Sequence, residues 1–280
     1  MGRSHRGPKA VQNSLETGLF ELGVDFKVDS FARSLELACV LSGLKTLEWA
    51  IGRKRKGQIN KIVAGPNLVV SPKDYSEIIC REEIDKIVVP SQWVKEFYER
   101  ECPNLQSKIE VWAAGVEDRG RLVKPDGQFT VLYKSGPESL LNEVREVLGS
   151  TGKNYSVLHY GKYSHEDFFK TLRGTKALVY ISKSESQGLA LHEAWMAGVP
   201  TLVWNGGRFE YKGMSYESDK ISAPYLDPSC GLFFKNSNEF TIVLGEFLQN
   251  YSNFSPRDYS LRNFTNKISA QKFLNILNAK

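Results

Sequence analysis

The sequence predicts an α/β protein in which parallel β-sheets are covered by helices on both faces. Short apolar segments recur along the chain, and stretches with helical periodicity separate them, which is the pattern of parallel strands joined by helices. A polar stretch at residues 117–128 interrupts this pattern, which then restarts. With 280 residues the chain is long enough for two small domains, so we expect one sheet on each side of that stretch.

Composition narrows the class of protein. Apolar residues make up 41% of the chain and charged residues 25%, which excludes a disordered, collagen-like or coiled-coil protein. No apolar run approaches the ~20 residues that span a bilayer, and the N-terminal sequence MGRSHRGPKA contains no apolar signal core. We therefore expect a cytoplasmic protein. The net charge of +5 permits an anionic partner without requiring one.

The first part of the chain predicts a sheet with its covering helices. A helix begins at Gly7-Pro8, because proline suits a first turn, and Gly23 ends it. Strands are predicted at Val24–Val28, Leu37–Leu41, Lys61–Ala64, Lys86–Val89 and Ile109–Trp112. A helix from Leu44 carries the run Arg53-Lys54-Arg55-Lys56 in its last turn, and Ser91 is expected to cap another helix. No apolar segment precedes the first predicted helix, so we expect the given chain to enter this domain at a helix.

A second series of elements follows residue 128. Strands are predicted at Phe129–Tyr133, Ser156–His159, Lys176–Ile181 and Thr201–Trp204, and helices at Pro137–Leu148, His165–Leu172, Leu189–Ala197, Ser237–Gln249 and Ser260–Leu277. Asn205–Pro228 is predicted to be a long loop, of the kind that often carries function. We expect an N-terminal domain at 1–115, a second domain at 116–256, and a C-terminal helix within 257–280 that packs back on the first domain.

The most informative segment is residues 176–204, predicted as strand, loop, helix and strand. Glu185 lies in the loop, and Ser186-Gln187-Gly188 stands at the helix start, where free backbone N–H groups and the helix dipole favour a phosphate. Glu193 lies one turn into the helix, where its carboxylate can accept both hydrogen bonds of a ribose diol. Taken singly, each carboxylate could be a solvated surface acid. Together they suit a nucleoside diphosphate sugar.

This segment, ESQGLALHE followed by AWMAGVPTL, resembles the Glu-x7-Glu signature of retaining GT-B glycosyltransferases. That large family, family 4, includes sucrose and glycogen synthases and bacterial mannosyltransferases. The resemblance covers the second half of the chain, and IVVPSQWVKEFY and VWAAGV are similar, less specifically, to the family's late first domain and linker. It implies a GT-B fold, with two facing Rossmann-like domains of parallel sheet, the N-terminal one reduced.

The resemblance also implies a role for particular residues. The catalytic pair is Glu185, which orients the sugar, and Lys134, which stabilises the leaving diphosphate. The implied diphosphate ligands are Lys134, Ser186, Gln187, Gly188 and Leu189. The implied ribose ligand is Glu193, and the implied base ligands are Tyr160, Gly161 and Tyr163. On the acceptor side stand Gly7, where the family has a glycine-rich loop, and Asn67, for which a plain turn is an equally open interpretation.

The function implied is a retaining, metal-independent transfer of the hexosyltransferase type. It uses no cofactor and moves a sugar from a UDP- or GDP-linked donor to a glycan, lipid-linked or protein-linked acceptor. The sequence contains no Asp-x-Asp pair to hold a metal on a sugar diphosphate. It also has no G-x-G-x-x-G, G-x-S-x-G or complete phosphate loop, which argues against a dehydrogenase, a hydrolase and an ATPase. Two alternatives remain: a non-catalytic nucleotide-sugar-binding or scaffold protein on the same fold, and a nucleotide-sugar epimerase.

Two other features are less specific. The cysteines Cys39, Cys80, Cys102 and Cys230 form no C-x-x-C pair, and we expect reduced thiols that are mostly buried. The run Arg53-Lys54-Arg55-Lys56 is expected to offset its helix dipole. A contact with an anionic membrane surface is the alternative, in which each cation contributes roughly 1 kcal/mol. Binding of nucleic acid is not expected, because no basic surface is interleaved with aromatic residues.

Overall fold

The computed structural model describes residues 7–30 and 32–279, which fall into two compact units. The described part of the N-terminal unit comprises residues 7–30, 32–115, 211–214 and 266–279, and that of the C-terminal unit comprises residues 116–210 and 215–265. That these units are separate acceptor and donor domains stays a prediction. Whether a strand precedes the first helix concerns residues 1–6, which lie outside the described residues.

The N-terminal unit contains a parallel sheet. In chain order its first elements are α1 (Gly7–Glu21), β1 (Leu35–Ser42), α2 (Leu44–Lys54), β2 (Ile59–Asn67), α3 (Asp74–Glu77), β3 (Lys86–Val89), α4 (Gln92–Glu101) and β4 (Ile109–Val111). The strands pair in parallel in the order β1-β2-β3-β4. The predicted strands at Leu37–Leu41, Lys61–Ala64, Lys86–Val89 and Ile109–Trp112 are confirmed, the first two being longer than expected.

The predicted strand at Val24–Val28 is wrong. Val24 belongs to the end of α1 and not to a strand, because Gly23 has a φ of 69° and Val24 N donates to Leu19 O at 3.0 Å. This is a Schellman end, in which the glycine closes the helix and the next N–H is already bonded. Phe26 and Val28 alternate as predicted, but both side chains are exposed. Residues 24–28 pair with no strand of the described sheets, so the alternation does not form a strand. The prediction that Gly23 ends the helix is confirmed.

The C-terminal unit contains a second parallel sheet. From residue 116 the chain forms β5 (Gln128–Tyr133), α5 (Glu138–Ser150), β6 (Tyr155–His159), α6 (His165–Leu172), β7 (Thr175–Ile181), α7 (Leu189–Met196), β8 (Thr201–Trp204), β9 (Arg208–Tyr211), β10 (Met214–Glu217), β11 (Gly231–Phe234), α8 (Ser237–Gln249) and α9 (Pro256–Asn263). The strand order is β11-β8-β7-β5-β6. Apolar clusters cover both faces, so the strands are nearly uninterrupted apolar runs, as the sequence predicts.

Three differences from the predicted elements occur in this region. The loop Asn205–Pro228 contains the hairpin β9–β10. The short apolar run at β11 is a strand that sequence reasoning missed, and it lies so close to β8 that a Cβ on Gly231 would stand 1.9 Å from Thr201 O. The predicted helix Ser260–Leu277 is two helices, because the chain leaves one unit for the other after Thr265.

The last helix, α10 (Asn266–Asn278), belongs to the N-terminal unit and packs against α1. A Cβ on Gly18 of α1 would stand 2.1 Å from Asn266 O, so the two helices approach backbone to backbone. Trp112 anchors the same helix, since its indole N–H donates to Ser269 O at 3.0 Å and its ring contacts Phe273. This packing makes the end of the chain part of the first sheet's helical cover.

Candidate functional site

The candidate site lies at the carboxyl edge of the C-terminal sheet, between β5 and β7. From β5 the chain moves outward to β6, and β7 then begins on the other side of β5. Such a switch point leaves a crevice in which open parallel sheets bind their ligands. The two loops are tied together there: Lys134 N donates to Ile181 O at 2.9 Å, and Lys183 N donates to the Ser135 hydroxyl at 3.0 Å.

The carboxylate of Glu185 is the centre of this edge. Lys134 Nζ lies 2.7 Å from its Oε1 and 2.9 Å from its Oε2. Its Oε1 also accepts hydrogen bonds from the Tyr180 hydroxyl at 2.6 Å and the Ser182 hydroxyl at 2.9 Å. The Glu185 side chain is only 8% exposed, whereas that of Lys134 is 30% exposed. The buried Glu185 carboxylate is therefore paired with a lysine, Lys134, that remains accessible to solvent.

The start of α7 lies beside this ion pair. Gly188 precedes the helix with a φ of 87°, which a side chain would strain, and a Cβ there would stand 3.7 Å from Glu185 Cβ. Leu191 N and His192 N already donate to Gly188 O, so the helix begins without a side-chain cap. The N–H groups of Leu189 and Ala190, which precede these bonds, have no carbonyl within the helix to bind. The side chain of Gln187 points inward, 3.3 Å from His192 Nδ1.

Glu193, one turn further along α7, is paired with a residue that sequence reasoning missed. His165 Nε2 lies 2.6 Å from Glu193 Oε1, and the Glu193 side chain is 14% exposed. The hydrogen bond to Glu193 raises the pKa of the His165 imidazole, which favours its charged form. Glu193 Oε2 has no hydrogen bond to any other described residue. One oxygen of this carboxylate is thus available to a ligand.

The three predicted base ligands surround the end of β6. Tyr160 is 58% exposed, and its ring lies over Lys134 Nζ at 5.0 Å. Gly161 adopts a φ of 83° in open space. Tyr163 stacks on Phe168 and packs against the core beside α6. Tyr160 therefore faces the Lys134 side of the edge, whereas Tyr163 is also a packing residue.

The predicted acceptor residues both lie in the N-terminal unit. Gly7 is exposed at the first residue of α1, and a Cβ there would meet nothing within 4 Å. Asn67 ends β2, and its buried Nδ2 has no hydrogen-bond partner among the described residues. The same holds for the buried hydroxyl of Ser91. Ser91 stands at the N-cap position of α4 without the predicted cap bond, so that prediction is wrong in its side-chain part.

The basic run is largely engaged within the N-terminal unit. Arg53 donates to Ala32 O at 2.7 Å and Arg33 O at 2.6 Å. Lys54 pairs with Asp85, and Arg55 pairs with Glu83. The predicted place of Arg53 and Lys54 in the last turn of α2 is confirmed. A membrane contact through this run stays a prediction.

The four cysteines are less buried than the sequence predicts. Only Cys230 is buried; Cys80 and Cys102 are half-buried, and Cys39 is exposed. The prediction of mostly buried cysteines is therefore wrong, since apolar neighbours on one strand face do not enclose Cys39 on the other.

Three further features concern where a ligand, a metal ion or a membrane could contact the described residues. A shallow cavity of about 250 Å³, lined by Gln128, Asn154 and Lys176, lies at the amino ends of β5 and β6, the edge opposite to the candidate site. Across residues 7–30 and 32–279, no group of His, Cys, Asp or Glu side chains is arranged to hold a metal ion. Within these same ranges, every helix falls short of what crossing a membrane requires.

Comparison with known proteins supplies the fold's name. No protein-family model matches the chain, and no curated protein matches its sequence. Among solved structures, it is similar to the apo form of the lipopolysaccharide outer core galactosyltransferase WaaB, with 17% identity, 96% of this chain and 79% of that chain covered, and a TM-score of 0.58. The chain has the GT-B fold.

Two further GT-B structures are similar to this chain. HepE of Anabaena, in complex with UDP and glucose, has 10% identity and a TM-score of 0.60, with 86% of this chain and 77% of that chain covered. TarM of S. aureus, in complex with fondaparinux, alpha-GlcNAc-glycerol and UDP, has 16% identity and a TM-score of 0.52, with 82% of this chain covered. The chain spans 54% of the TarM chain.

Within this GT-B chain, three residues at the candidate site escaped sequence reasoning. Tyr180 and Ser182 lie at the end of β7, and their spacing from Glu185 carries no recognisable motif. A signal for His165 does exist, because Ser164 and Asp167 form a capping box that fixes His165 at the first helical position of α6. That position faces α7, where Glu193 lies one turn into the helix.

Proposed function

We propose that this protein is a glycosyltransferase that moves a sugar from a nucleoside diphosphate sugar to an acceptor hydroxyl. The observation that carries the proposal is the pairing of Lys134 with Glu185 beside the open start of α7. A solvent-reached cation beside the N-terminus of a helix, at a sheet switch point, forms a site for a diphosphate. HepE and TarM, which share the fold, were solved with UDP, so UDP is the first ligand to test.

The proposed reaction is retaining and metal-independent. Charge develops on the leaving diphosphate, and Lys134 together with the N–H groups of Ser186–Leu189 would stabilise it where a metal ion otherwise would. No carboxylate is assigned as a nucleophile. Glu185 accepts hydrogen bonds from Lys134, Tyr180 and Ser182, so its charge is already committed. We assign it to orienting the sugar once Lys134 turns to the phosphates.

The remaining ligand contacts follow from the same placement. Glu193 Oε2 accepts from the ribose diol, while His165 holds the other oxygen in place. Tyr160 and Gly161 at the end of β6 border the base, with Tyr163 behind them. The N-terminal unit would bind the acceptor, for which Gly7 and Asn67 are the candidate residues.

Calorimetric titration with UDP and GDP in the presence of a chelator tests the donor site. We expect binding without a divalent cation, and Glu193→Gln should weaken it about tenfold, because hydrogen bonds to charged groups contribute ~1.5–3 kcal/mol. Glu166→Gln is the matched control, since Glu166 lies on α6 and pairs with Arg119 instead. Binding only with magnesium or manganese would contradict the metal-free reaction.

A turnover assay distinguishes the glycosyltransferase from a non-catalytic nucleotide-sugar-binding protein and from an epimerase. Sugar nucleotides incubated with the protein should release the nucleoside diphosphate as the sugar is transferred. Tight binding with no release supports a non-catalytic nucleotide-sugar-binding protein. An epimerised sugar in the product supports the epimerase. Equal affinity of the wild type and Glu193→Gln for every nucleotide would contradict the donor site itself.

A further inference from the structure

Two thiols lie side by side in the N-terminal unit, which contains none of the candidate donor residues. Cys80 Sγ and Cys102 Sγ are 3.1 Å apart, although 22 positions separate them in the sequence. Cys80 is the last residue of the short 3₁₀ turn Ile78–Cys80 that follows α3, and Cys102 is the first residue after α4. Both side chains are half-buried. Sulfur atoms at this separation need little movement to bond.

Hydrogen bonds near Cys80 and Cys102 join the same two segments, residues 69–80 and the end of α4. The Tyr98 hydroxyl of α4 donates to Val69 O at 2.7 Å, and Lys73 Nζ donates to Glu101 at 2.8 Å. Cys80 Sγ also contacts Pro72 O at 3.5 Å. Residues 69–80 are therefore held on the end of α4 by contacts other than the sulfur pair. A bond between the sulfurs would add a covalent link to a packing that exists without it.

The held segment carries backbone strain. Tyr75, Ser76 and Glu77 have φ values of 51°, 54° and 55°, a left-handed run that side chains disfavour by roughly 1–2 kcal/mol per residue. Asp74, just before this run, binds Lys212 Nζ at 2.8 Å, so the segment also fixes residues 211–214 of the same unit. A strained segment opens locally unless its surroundings hold it.

We propose that Cys80 and Cys102 form a reversible disulfide that locks residues 69–80 onto the end of α4. The oxidant is a low-molecular-weight disulfide such as oxidised glutathione. The Cys102 thiolate attacks one glutathione sulfur and expels a glutathione thiolate, which takes up a proton. Cys80 then loses its proton and attacks the Cys102 sulfur, expelling the second glutathione. Both cysteines are oxidised, and one glutathione disulfide becomes two thiols.

The order of attack follows from the environment. Burial raises the pKa of the Cys80 thiol, which lowers its thiolate fraction near neutral pH and suits it to the second step. The reaction should therefore run faster as the pH rises. A thiol in excess reverses it by the same exchange.

The wild-type protein itself provides the test. After incubation with oxidised glutathione, a digest without reductant should contain the Cys80 and Cys102 peptides joined, with the loss of two hydrogens. A short cysteine-containing peptide added to the same mixture should carry a glutathione adduct, which shows that the reagent reacted. Cys39→Ser should keep the link, and Cys80→Ser should lose it. Separate Cys80 and Cys102 peptides beside a modified control peptide would overturn the proposal.

Hydrogen exchange tests the locking separately. Oxidation of the wild type should slow amide exchange in residues 69–80, dithiothreitol should restore it, and Cys80→Ser should not respond. A linked pair with unchanged exchange in this segment would leave the bond in place and overturn its role as a lock.

Discussion

Lys134 Nζ contacts both carboxylate oxygens of Glu185, at 2.7 and 2.9 Å, across the switch point of the C-terminal sheet. The anion is buried and the cation is reached by solvent. In the donor site proposed above, a diphosphate would replace Glu185 as the counter-ion of Lys134 Nζ, and the Glu185 carboxylate would turn to the sugar.

The variant Glu185→Gln should affect binding of the nucleotide and transfer of the sugar in opposite directions. Without the competing charge, Lys134 is expected to bind a nucleoside diphosphate at least as tightly as in the wild type. Transfer from the sugar nucleotide should fall, because the sugar loses a charged acceptor. Calorimetry with the bare nucleotide and a turnover assay with its sugar measure the two effects. If Glu185→Gln weakens both ligands equally, Glu185 faces the nucleotide or merely holds the loop.

Tyr180→Phe should lower the free energy of unfolding by about 1.5–3 kcal/mol, since it removes a hydrogen bond to a buried charge. Denaturant unfolding followed by circular dichroism gives the value. Tyr98→Phe is the matched control, because the buried Tyr98 hydroxyl donates to the neutral Val69 O at 2.7 Å, and about 1 kcal/mol is expected there. Equal losses in the two variants would show that the charge of Glu185 adds nothing to the Tyr180 bond.

The pair His165–Glu193 should make stability depend on pH. The pKa of folded His165 is raised above the ordinary value of 6.5, first by its hydrogen bond to Glu193. A raised histidine pKa contributes stability that is complete below the unfolded value and is lost as the pH rises through the folded value. The stability difference between the wild type and His165→Gln should therefore be largest in mild acid and shrink in mild alkali. A difference independent of pH would show that only packing against Phe169 is lost.

Asp74 should show the opposite dependence. Burial raises its pKa, but the hydrogen bonds from Lys212 and Ser71 N outweigh this and lower it from 3.8. The stability it supplies is present above the unfolded pKa and disappears as the pH falls through the folded value. Asp74→Asn should cost about 1.5–3 kcal/mol at neutral pH and much less in strong acid. The exposed Asp126→Asn should cost little at either pH, and an equal cost would contradict a specific role for Asp74.

Much of the fold could be predicted from the sequence, because buried parallel strands must be apolar and must alternate with helices. The strands around Val131, Val179 and Leu202 follow from this requirement alone. The run at Val24–Val28 failed for a reason that periodicity cannot detect: alternation predicts a strand only where a neighbouring strand exists. β11 was missed because its few residues pair with β8 through a glycine contact that only the folded chain reveals.

The candidate site was predictable as far as its motif extends. Glu185, Gly188 and Glu193 stand at fixed spacings within one strand-loop-helix unit, which is local information. Their partners are not local: Lys134 approaches Glu185 from another strand, and His165 approaches Glu193 from another helix. Hydrogen bonds between distant segments depend on sheet order, which spacing along the chain does not encode.

Trp204 gives this edge an optical reporter of its own. Its half-buried indole lies at the end of β8, where a Cβ on Gly136 would stand 3.0 Å from the ring. Trp93, Trp112 and Trp195 are sealed inside their cores, and Trp49 lies on α2 of the N-terminal unit. Indole emission shifts with the polarity and charge around the ring, so an anion settling beside Gly136 should change the emission of Trp204 and leave that of the sealed tryptophans alone. The molecule can therefore be titrated by its intrinsic fluorescence, without a label and before any acceptor is known.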